Sequence, residues 1–478
     1  MNTVLTFDKI QQIADGEWIT EPGDLDIPLR SGAFDTRSIN GAQIFFAWHG
    51  ESSDGHRFID QLAGTSIRLI IVEQDVPPVQ NTAILKVANS LEVLHQLARF
   101  LASEFKGRIV SITGSCGKTT AKAWLRHMLS KRFSVLSNIE SFNNHIGCPI
   151  TILNLDHDHE IIILEMGTSG TGELELLSSI APADVSVILN VGHAHLGKFG
   201  HRDAIYQAKT EIFSHHREQA KLLIPFQDSK IKKFMPQGVY DFFGKGAPLY
   251  SWELDFVDLY NLRQKLKFQT PEGSKTAWVN QLGHHAGETL SALIAICFHL
   301  GLNWNEIELR LCDLPHEKGR STLISGINQV KILDDVYNAN PESLVNMLKT
   351  LCSLNAEKYV AIIGNLAELD QNLAESVGVI VDQIPSVLTH LILTGETGKP
   401  IKNLIRKSRP ELSITYLESI EEVIKETIRY CDLKTVIGVK GSRSAHMERV
   451  VYALSGEKIS CGVTVCGLLK ICNQCDRL

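Results

Sequence analysis

The sequence predicts an α/β protein of three domains: a small N-terminal α/β domain, a central doubly wound sheet and a second doubly wound unit at the C terminus. The first observation is length, because 478 residues exceed the roughly 250–300 that one hydrophobic core supports. The second is an alternation of strand-like and helical patterns that begins near Arg108 and starts again after Pro315. The third is a glycine-rich segment, Thr113–Thr120, between a predicted strand and a predicted helix. We therefore expect domains over residues 1–88, 89–314 and 315–478.

Hydrophobic periodicity justifies these domains element by element. Short strand-like runs fill the first domain, namely Gln43–Trp48 and Ser66–Val72, and a helical pattern over Asn89–Phe105 links it to the second. In the central domain the predicted elements are Arg108–Thr113, Thr119–Lys131, Ile161–Leu164, Val185–Leu189, Ala204–Phe213 and Leu290–Leu300, whereas residues 214–282 give a weak, irregular pattern. In the third domain they are Val330–Asp334, Glu342–Ser353, Tyr359–Ile363, Ala374–Ile384, Leu391–Leu393, Ile420–Tyr430 and Thr435–Val439.

Composition narrows the class of protein and its compartment. With 47 basic and 54 acidic residues the formal net charge is −7, which argues against a nucleic-acid binder held by bulk electrostatics. The N-terminal segment lacks the pattern of a secretory signal, and no apolar run approaches the roughly 20 residues of a membrane helix. We expect a cytoplasmic monomer with no nucleic-acid partner and no membrane span.

The ten cysteines are the one unusual feature of the composition. In the cytoplasm thiols stay reduced, so most of these residues are expected to be small buried apolar groups. Four lie in the tail with the spacing C-x4-C-x5-C-x2-C: Cys461, Cys466, Cys472 and Cys475. Four thiolates are able to bind Zn²⁺ or an iron–sulfur cluster, but this spacing matches no strong metal template. We interpret them as incidental residues of a terminal extension.

The segment Thr113–Thr120 predicts a phosphate site. Gly114 and Gly117 allow a tight turn whose N–H groups point at phosphate oxygens, and the following helix adds its positive end. Lys118 is placed to reach the β- and γ-phosphates and the Thr119 hydroxyl to bind Mg²⁺. Two residues separate the glycines where the usual motif has four, and the alternative is a glycine-rich turn with a solvated lysine. The nucleotide-binding residues predicted here are Gly114, Ser115, Cys116, Gly117, Lys118, Thr119 and Thr120.

Two further residues follow predicted strands of the same sheet. Glu165 ends one strand and His195 lies just past the next. The carboxyl ends of parallel strands meet at one edge, where open α/β sheets bind ligands. We therefore expect both side chains near the phosphate site as metal ligands. Lys209, by contrast, fits the pattern of an exposed helix lysine.

Taken in order, these segments resemble the Mur ligase family, the ATP-dependent amide-forming enzymes of peptidoglycan precursor synthesis. The resemblance covers most of the chain and rests on these segments: Asp35–Ser38, Ile44–Ala47, Asp54–Phe58, Thr113–Thr120, Asn143–Pro149, Glu165–Gly167, Ala194–Leu196, Ala208–Phe213, Gly319–Arg320, Asp334–Pro341 and Lys440–Arg443. It implies a three-domain architecture with a P-loop in the central sheet and a Rossmann-like C-terminal domain. The string Tyr337–Pro341 is typical of the branch that adds D-alanyl-D-alanine to UDP-N-acetylmuramoyl-tripeptide.

The resemblance also implies roles for the domains and for single residues. The N-terminal domain is expected to bind the UDP-sugar, the central one ATP, and the C-terminal one the incoming amine. The cofactors implied are ATP and Mg²⁺ at two sites, with a carbamate on Lys209 as a ligand beside Thr119, Glu165 and His195. The implied catalytic residues are Lys118, Glu165, His195, Lys209, Arg320 and Asp335, and His285 and Arg320 join the nucleotide contacts. The implied substrate residues are Asp35, Thr36, Arg37, Ser38, Asn143, Asn144, Tyr337, Asn338, Asn340, Lys440, Ser442 and Arg443.

The sequence departs from the family at several positions, one of which is the place of a usual His, near Ala374. Cys116 stands in the loop where Asn is usual, and the nearby Lys118 and helix N-terminus are expected to lower the pKa of its thiol. Ala286 and Thr289 stand where Asn is expected near the adenine, and Asn365 stands in place of Asp. These changes keep two alternatives open: a related ligase for another carboxylate–amine pair, and a non-catalytic protein that binds nucleotide or UDP-sugar.

Overall fold

A computed structural model of the chain describes residues 4–50, 53–139, 142–192, 199, 201–258, 261–366, 377–378, 380–457 and 472. It has the three-domain α/β architecture that the sequence predicts, with one mixed sheet and two doubly wound sheets. The predicted division points between the domains stay predictions. Among the described helices, none combines the length and the apolar character needed to cross a membrane.

The N-terminal region forms a five-stranded sheet in the order β2-β7-β6-β5-β4 and a small β1-β3 pair. Its elements are β1 Leu5–Thr6, α1 Phe7–Ala14, β2 Glu17–Thr20, β3 Pro28–Leu29, β4 Gly32–Ala33, β5 Ile44–Phe46, a 3₁₀ helix Gly55–Leu62, β6 Leu69–Val72 and β7 Ala83–Lys86. Helix α2, Ser90–Glu104, then leads into the central region. It begins where the Asn89 side chain accepts a hydrogen bond from the Glu92 N–H, which is a standard N-cap.

The central region is built on a six-stranded, fully parallel sheet in the order β13-β12-β11-β8-β10-β9. Its elements are β8 Arg108–Thr113, α3 Lys118–Leu129, β9 Val135–Ser137, α4 Gly147–Leu153, β10 Ile161–Glu165, α5 Glu173–Ile180, β11 Ala183–Ile188, α6 Arg202–Thr210, β12 His216–Pro225 and β13 Tyr240–Phe243. Both faces of the sheet are buried: in β8, Ile109 packs into one apolar cluster, and Val110 and Ile112 pack into another. Burial on both faces explains why its strands read as continuous apolar runs.

Residues 214–282 are more regular than the sequence suggests. Besides β12 and β13 they form an antiparallel sheet of β14 Trp252–Asp258, β15 Arg263–Thr270 and β16 Gly273–Val279. In β15 and β16 buried residues alternate with partly or fully exposed ones. The outward positions of β15 are polar, so this strand lacks the apolar run that marks the central sheet. Helices α7 His284–His299 and α8 Trp304–Leu311 follow.

The C-terminal region repeats the layered plan with a sheet in the order β17-β18-β22-β19-β20-β21, in which only β17 is antiparallel. Its elements are β17 Thr322–Ser325, β18 Lys331–Asp335, α9 Pro341–Ser353, β19 Lys358–Ile363, β20 His390–Thr394, α10 Gly398–Ser408, β21 Ser413–Leu417, α11 Ile420–Ile428, β22 Thr435–Lys440 and α12 Glu448–Leu454. Of the predicted helix Ala374–Ile384, residues 374–376 and 379 lie outside the described residues, while 377, 378, 380 and 381 are helical and 382–384 are not. Cys461, Cys466 and Cys475 of the tail also lie outside the described residues.

Candidate active site

A cavity of about 1180 Å³ lies where the carboxyl edges of the two six-stranded sheets face each other. Its walls include most of the side chains that the sequence analysis selected. These are Ser115, Cys116, Gly117, Lys118, Thr119, Thr120, Asn143, Glu165, His285, Arg320, Asp335, Tyr337, Asn338, Asn340 and Lys440. Residues far apart in the chain therefore meet at one site.

The glycine-rich loop between β8 and α3 forms one wall. Gly117 caps α3 with a φ of 79°, a left-handed conformation that glycine adopts without a Cβ clash. Asn190, which follows β11, fixes the loop: its Oδ1 accepts from the Cys116 N–H at 2.9 Å, and its Nδ2 donates to the Cys116 carbonyl at 3.0 Å. The sequence analysis missed this role of Asn190, although an Asn directly after a strand beside the loop was the available signal.

Lys118, the first residue of α3, folds back over the loop. Its Nζ donates a hydrogen bond to the Gly114 carbonyl at 2.7 Å. The ammonium group thus lies at the mouth of the turn rather than free in solvent. This arrangement favours the phosphate-site interpretation over a merely solvated lysine, because the charge is held beside the loop N–H groups.

Glu165, at the end of β10, is the centre of a buried polar cluster and is 1% exposed. Its Oε1 accepts from the Thr119 hydroxyl at 3.1 Å and from Asn143 Nδ2 at 2.9 Å. Its Oε2 lies 3.3 Å from Lys122 Nζ, but that contact lacks hydrogen-bond geometry, and Oε2 has no hydrogen-bond partner among the described residues. A buried carboxylate that touches a threonine hydroxyl offers the hard oxygen donors that Mg²⁺ prefers.

The structure corrects one interpretation of Lys209. The residue pattern alone gave an exposed helix lysine, but Lys209 is 3% exposed at the end of α6. Its neighbours on the apolar side, Ile205 and Ala208, anchor that face of the helix in the core. Lys209 does not contribute to the cavity wall described above. His195 lies outside the described residues.

The opposite wall comes from two adjacent strand ends of the C-terminal sheet. Asp335 in β18 and Lys440 in β22 are direct register partners, and Lys440 Nζ lies 2.5 Å from Asp335 Oδ2. Lys440 is 1% exposed and also donates to the Asn338 carbonyl at 2.9 Å. The second Asp335 oxygen accepts from the Ser321 N–H at 3.0 Å. Lys440 Nζ also lies 3.4 Å from the Asp335 carbonyl, so its three donors all have acceptors within the chain and its position at the cavity wall is fixed.

Arg320 is positioned by the same wall. Its guanidinium stacks 3.9 Å from the centre of the Tyr337 ring, and the Tyr337 N–H donates to the Gly319 carbonyl at 2.9 Å. Stacking orients the planar cation while leaving its N–H donors for a ligand.

The two walls touch at Cys116 and Asn340, whose Sγ and Oδ1 lie 3.8 Å apart. Asn340 is also the N-cap of α9, since its Oδ1 accepts from the Ser343 N–H at 2.9 Å. Burial, and then the charge of Glu342, raises the pKa of the Cys116 thiol. The expectation of a lowered thiol pKa is therefore wrong, because desolvation outweighs the pull of Lys118.

The start of α7 lines a further part of the cavity. His285 is half-buried with its Nδ1 3.3 Å from the Thr350 hydroxyl, and desolvation lowers its pKa, which favours the neutral ring. Ala286 is fully buried, whereas Thr289 lies at the cavity wall. Glu288, which the sequence analysis missed, accepts from the Lys245 N–H at 3.2 Å, and burial raises its pKa.

The remaining predicted substrate residues do not line this cavity. Asp35 and Arg37 form an ion pair in the N-terminal region, and Thr36 and Ser38 hydrogen-bond to Gln61 and Asn40. Asn144 caps its own turn by accepting from the N–H groups of Ile146 and Gly147. Ser442 is buried, and Arg443 lies behind the cavity wall beside Glu448.

Comparison with known protein families agrees with this geometry. Residues 112–297 match the Mur ligase middle domain, and residues 319–443 match the Mur ligase, glutamate ligase domain. The chain belongs to the Mur ligase family. The resemblance inferred from its motifs is confirmed.

Several members of the family are similar to this Mur ligase over most of its length. It is 29% identical over 435 residues to the UDP-N-acetylmuramoyl-tripeptide--D-alanyl-D-alanine ligase of Bacillus subtilis (strain 168), covering 90% of this chain and 93% of the relative. A crystal structure of MurF from Acinetobacter baumannii superimposes with a TM-score of 0.84 at 27% identity, over 95% of this chain and 99% of that one. MurF ligase from Thermotoga maritima, solved in complex with ADP, gives 0.77 at 28% identity, over 90% and 97%.

Proposed function

We propose that this Mur ligase is an ATP-dependent, ADP-forming enzyme that adds D-alanyl-D-alanine to UDP-N-acetylmuramoyl-tripeptide in peptidoglycan precursor synthesis. The observation that carries the proposal is the single cavity in which the Lys118 loop faces the Asp335–Lys440 wall. The relatives named above, similar over nine-tenths of this chain, supply the substrate class.

In the proposed reaction the tripeptide carboxylate attacks the γ-phosphorus of ATP, which forms an acyl phosphate and releases ADP. The amine of D-alanyl-D-alanine then attacks the acyl carbon and loses a proton, and inorganic phosphate leaves as the amide forms. Carboxylates are poor acyl electrophiles, so the first step makes the second possible. Lys118 and the loop N–H groups meet the phosphate charge, and Arg320 is held by Tyr337 to meet it from the other wall.

Thr119 and Glu165 are the residues that we propose to hold Mg²⁺, on the strength of their 3.1 Å contact at the cavity wall. When bound, Mg²⁺ would supply positive charge against the phosphate oxygens. We propose from the family resemblance that Lys209 carries a carbamate, which serves a second Mg²⁺ with His195 and Glu165. The burial of Lys209 supports this, since lysine is rarely buried without a special reason. Loss of activity in Lys209→Ala, restored by added short carboxylates, is the expected result.

For the amine, we propose that Lys440 receives the carboxylate of the dipeptide and that Asp335 positions Lys440. The residues Tyr337, Asn338 and Asn340 lie on the same wall and would orient the dipeptide backbone. Asp35, Thr36, Arg37 and Ser38 stay proposed contacts for the UDP-sugar, and Asn143, Asn144, Ser442 and Arg443 for the peptide portions. We propose that the enzyme works as a monomer in the cytoplasm, where ATP and UDP-sugars occur.

The experiment is a reconstitution with ATP, Mg²⁺, UDP-N-acetylmuramoyl-tripeptide and D-alanyl-D-alanine, read by phosphate release and by product mass. We expect one phosphate per amide formed and no turnover when the dipeptide is left out. Turnover with a different amine but not with D-alanyl-D-alanine would make the chain a ligase for another pair. Binding of nucleotide or UDP-sugar with no turnover on any pair would make it a non-catalytic binder.

A further inference from the structure

Behind the cavity wall lies a buried cluster of three metal-ligating side chains that the ligase reaction does not use. His446 lies in the turn between β22 and α12, Glu448 is the first residue of α12, and Cys472 comes from the tail. Their exposed fractions are 1%, 3% and 7%. None of the three lines the cavity.

The spacing of the ligand atoms suits one tetrahedral ion. His446 Nδ1 lies 3.2 Å from Glu448 Oε1 and 3.4 Å from Cys472 Sγ, and all three ligand atoms fall within 4.8 Å of one another. Zinc bonds of about 2.0–2.3 Å to nitrogen, oxygen and sulfur place such ligands roughly 3.3–3.7 Å apart. The cluster thus needs little rearrangement to close around an ion.

Two buried atoms of the cluster lack hydrogen-bond partners among the described residues: Glu448 Oε2 and His446 Nε2. The other carboxylate oxygen, Oε1, accepts from the Cys472 N–H at 3.2 Å and lies 3.5 Å from Arg443 Nη2. The Arg443 charge offsets that of one carboxylate. A thiolate at Cys472 would add a further negative charge, and a divalent cation would balance it.

The donor set selects the class of metal. Sulfur, imidazole and carboxylate together favour Zn²⁺ over the hard ions Mg²⁺ and Ca²⁺, which take oxygen ligands. The second candidate cluster among the described residues consists of His49, Asp54 and His56, and it offers no sulfur ligand. There the His56 Nδ1 pairs with Asp54 at 2.7 Å and its Nε2 accepts from the Glu73 N–H at 3.0 Å, so the buried ring is already satisfied.

We propose that His446, Glu448 and Cys472 form a Zn²⁺ site that ties the C-terminal tail to the β22–α12 turn beside Arg443. Binding would form Zn–S, Zn–N and Zn–O bonds and release the Cys472 thiol proton to solvent, with no change of oxidation state. The site is structural rather than catalytic, and a test of zinc binding does not depend on whether the ligase reaction is correct.

The test measures metal binding by the full chain without an oligohistidine tag. After incubation with Zn²⁺ and desalting, we expect about one zinc per chain by elemental analysis. Cys472→Ser and His446→Asn should lower the zinc affinity by about 100-fold or more. Asn tolerates the left-handed φ of 47° at position 446, so that variant removes the imidazole without straining the backbone. Cys312→Ser, an exposed cysteine elsewhere in the chain, is the matched control and should bind zinc as the wild type does.

Substitution with Co²⁺ identifies the ligand directly. We expect a thiolate-to-cobalt charge-transfer band in the wild type and in Cys312→Ser, and its loss in Cys472→Ser. A wild-type chain that retains no zinc, or that binds Co²⁺ without this band, overturns the proposal even if a variant fails to fold. Equal zinc affinity in Cys472→Ser and wild type overturns it as well.

Discussion

The central and C-terminal sheets share one plan but present different chemistry at their carboxyl edges. Each has six strands with helices on both faces, and both edges face the same cavity. The central edge presents a loop whose backbone N–H groups we propose to bind phosphate, with Gly117 in a left-handed turn and Asn190 fixing the loop. The C-terminal edge presents the side chains of Asp335 and Lys440 on register-paired strands.

The difference teaches that the layer architecture fixes where a ligand binds, whereas the connection after each strand fixes how. A site formed by backbone N–H groups tolerates changes of most side chains but depends on the lysine ammonium that lies beside the loop. A side-chain site depends on each partner of its buried pair. The four predictions below use this contrast, from the largest expected effect to the smallest.

The largest effect is expected for Lys118→Ala at the central edge. Loss of the cation held beside the phosphates should lower turnover by about 10³-fold or more. Phosphate release under saturating ATP measures it. Lys131→Ala, an exposed lysine just past the end of α3, is the matched control and should keep full activity. If Lys118→Ala keeps its activity, the central edge takes no part in the reaction.

At the C-terminal edge, Lys440→Met should destabilise the chain as well as lower its activity. The side chains of Lys440 and Asp335 are 2% and 13% exposed, and removing one partner of a buried pair costs about 3–5 kcal/mol. Urea unfolding of the single and double variants measures it. Adding Asp335→Asn should recover part of the loss, because no unpaired carboxylate stays buried. If the double variant is no more stable than Lys440→Met, the Asp335–Lys440 pair does not account for the stability of the C-terminal edge.

The next prediction concerns pH and Asp334, the neighbour of Asp335. Burial raises the pKa of Asp334 to about 6 from its ordinary value of 3.8, with the charge of Asp335 adding to the effect. The folded state therefore holds this proton more tightly than the unfolded state. The stability that the group contributes is fully present below about pH 4 and is lost as the pH rises through 6.

Asp334→Asn should accordingly raise the melting temperature relative to wild type at a pH well above 6, with a smaller difference near pH 4. Thermal unfolding across this range measures it. Glu411→Gln is a suitable control, since that exposed carboxylate has a lowered pKa and should show no such gain. A difference that is independent of pH would show that Asp334 does not titrate in this window.

The smallest effect is expected for Cys116→Ala in the central loop. The Cys116 N–H stays bonded to Asn190 whatever the side chain, so kcat/KM should change by less than about threefold. Because its pKa is raised, the thiol should react with iodoacetamide more slowly than the exposed Cys312. A large loss of activity in Cys116→Ala would mean that this edge, too, binds through side chains.

Several features were predictable because they depend on local physics. The strand Arg108–Thr113 matches its predicted bounds, and the helix predicted over Asn89–Phe105 forms over Ser90–Glu104. Gly117 marks the tight turn before α3, because a left-handed turn next to a helix N-terminus favours glycine, and the role of this loop in binding phosphate stays a prediction. Residues 214–282 were less predictable, since a half-exposed antiparallel sheet has no continuous apolar run.

Long-range contacts account for the rest of the site. The position of Asn190 directly after a strand was a weak signal, but only the fold brings it to the Cys116 N–H, 74 positions away in sequence, and no local pattern shows that Glu288 would line the cavity. The pKa of the Cys116 thiol was predicted with the wrong sign because sequence shows its charged neighbour but not its burial.

The sequence by itself predicted the three α/β domains and the glycine-rich loop, because turn chemistry and hydrophobic period act between residues close in the chain, and its motifs carried the resemblance to the family. Only the tertiary structure decided that Lys440 is paired with Asp335 and that Lys209 is buried. It also decided that His446, Glu448 and Cys472 lie together in one buried cluster. Burial and pairing depend on which distant segments pack together. A desolvated side chain, in turn, is governed by the partners that this packing leaves it.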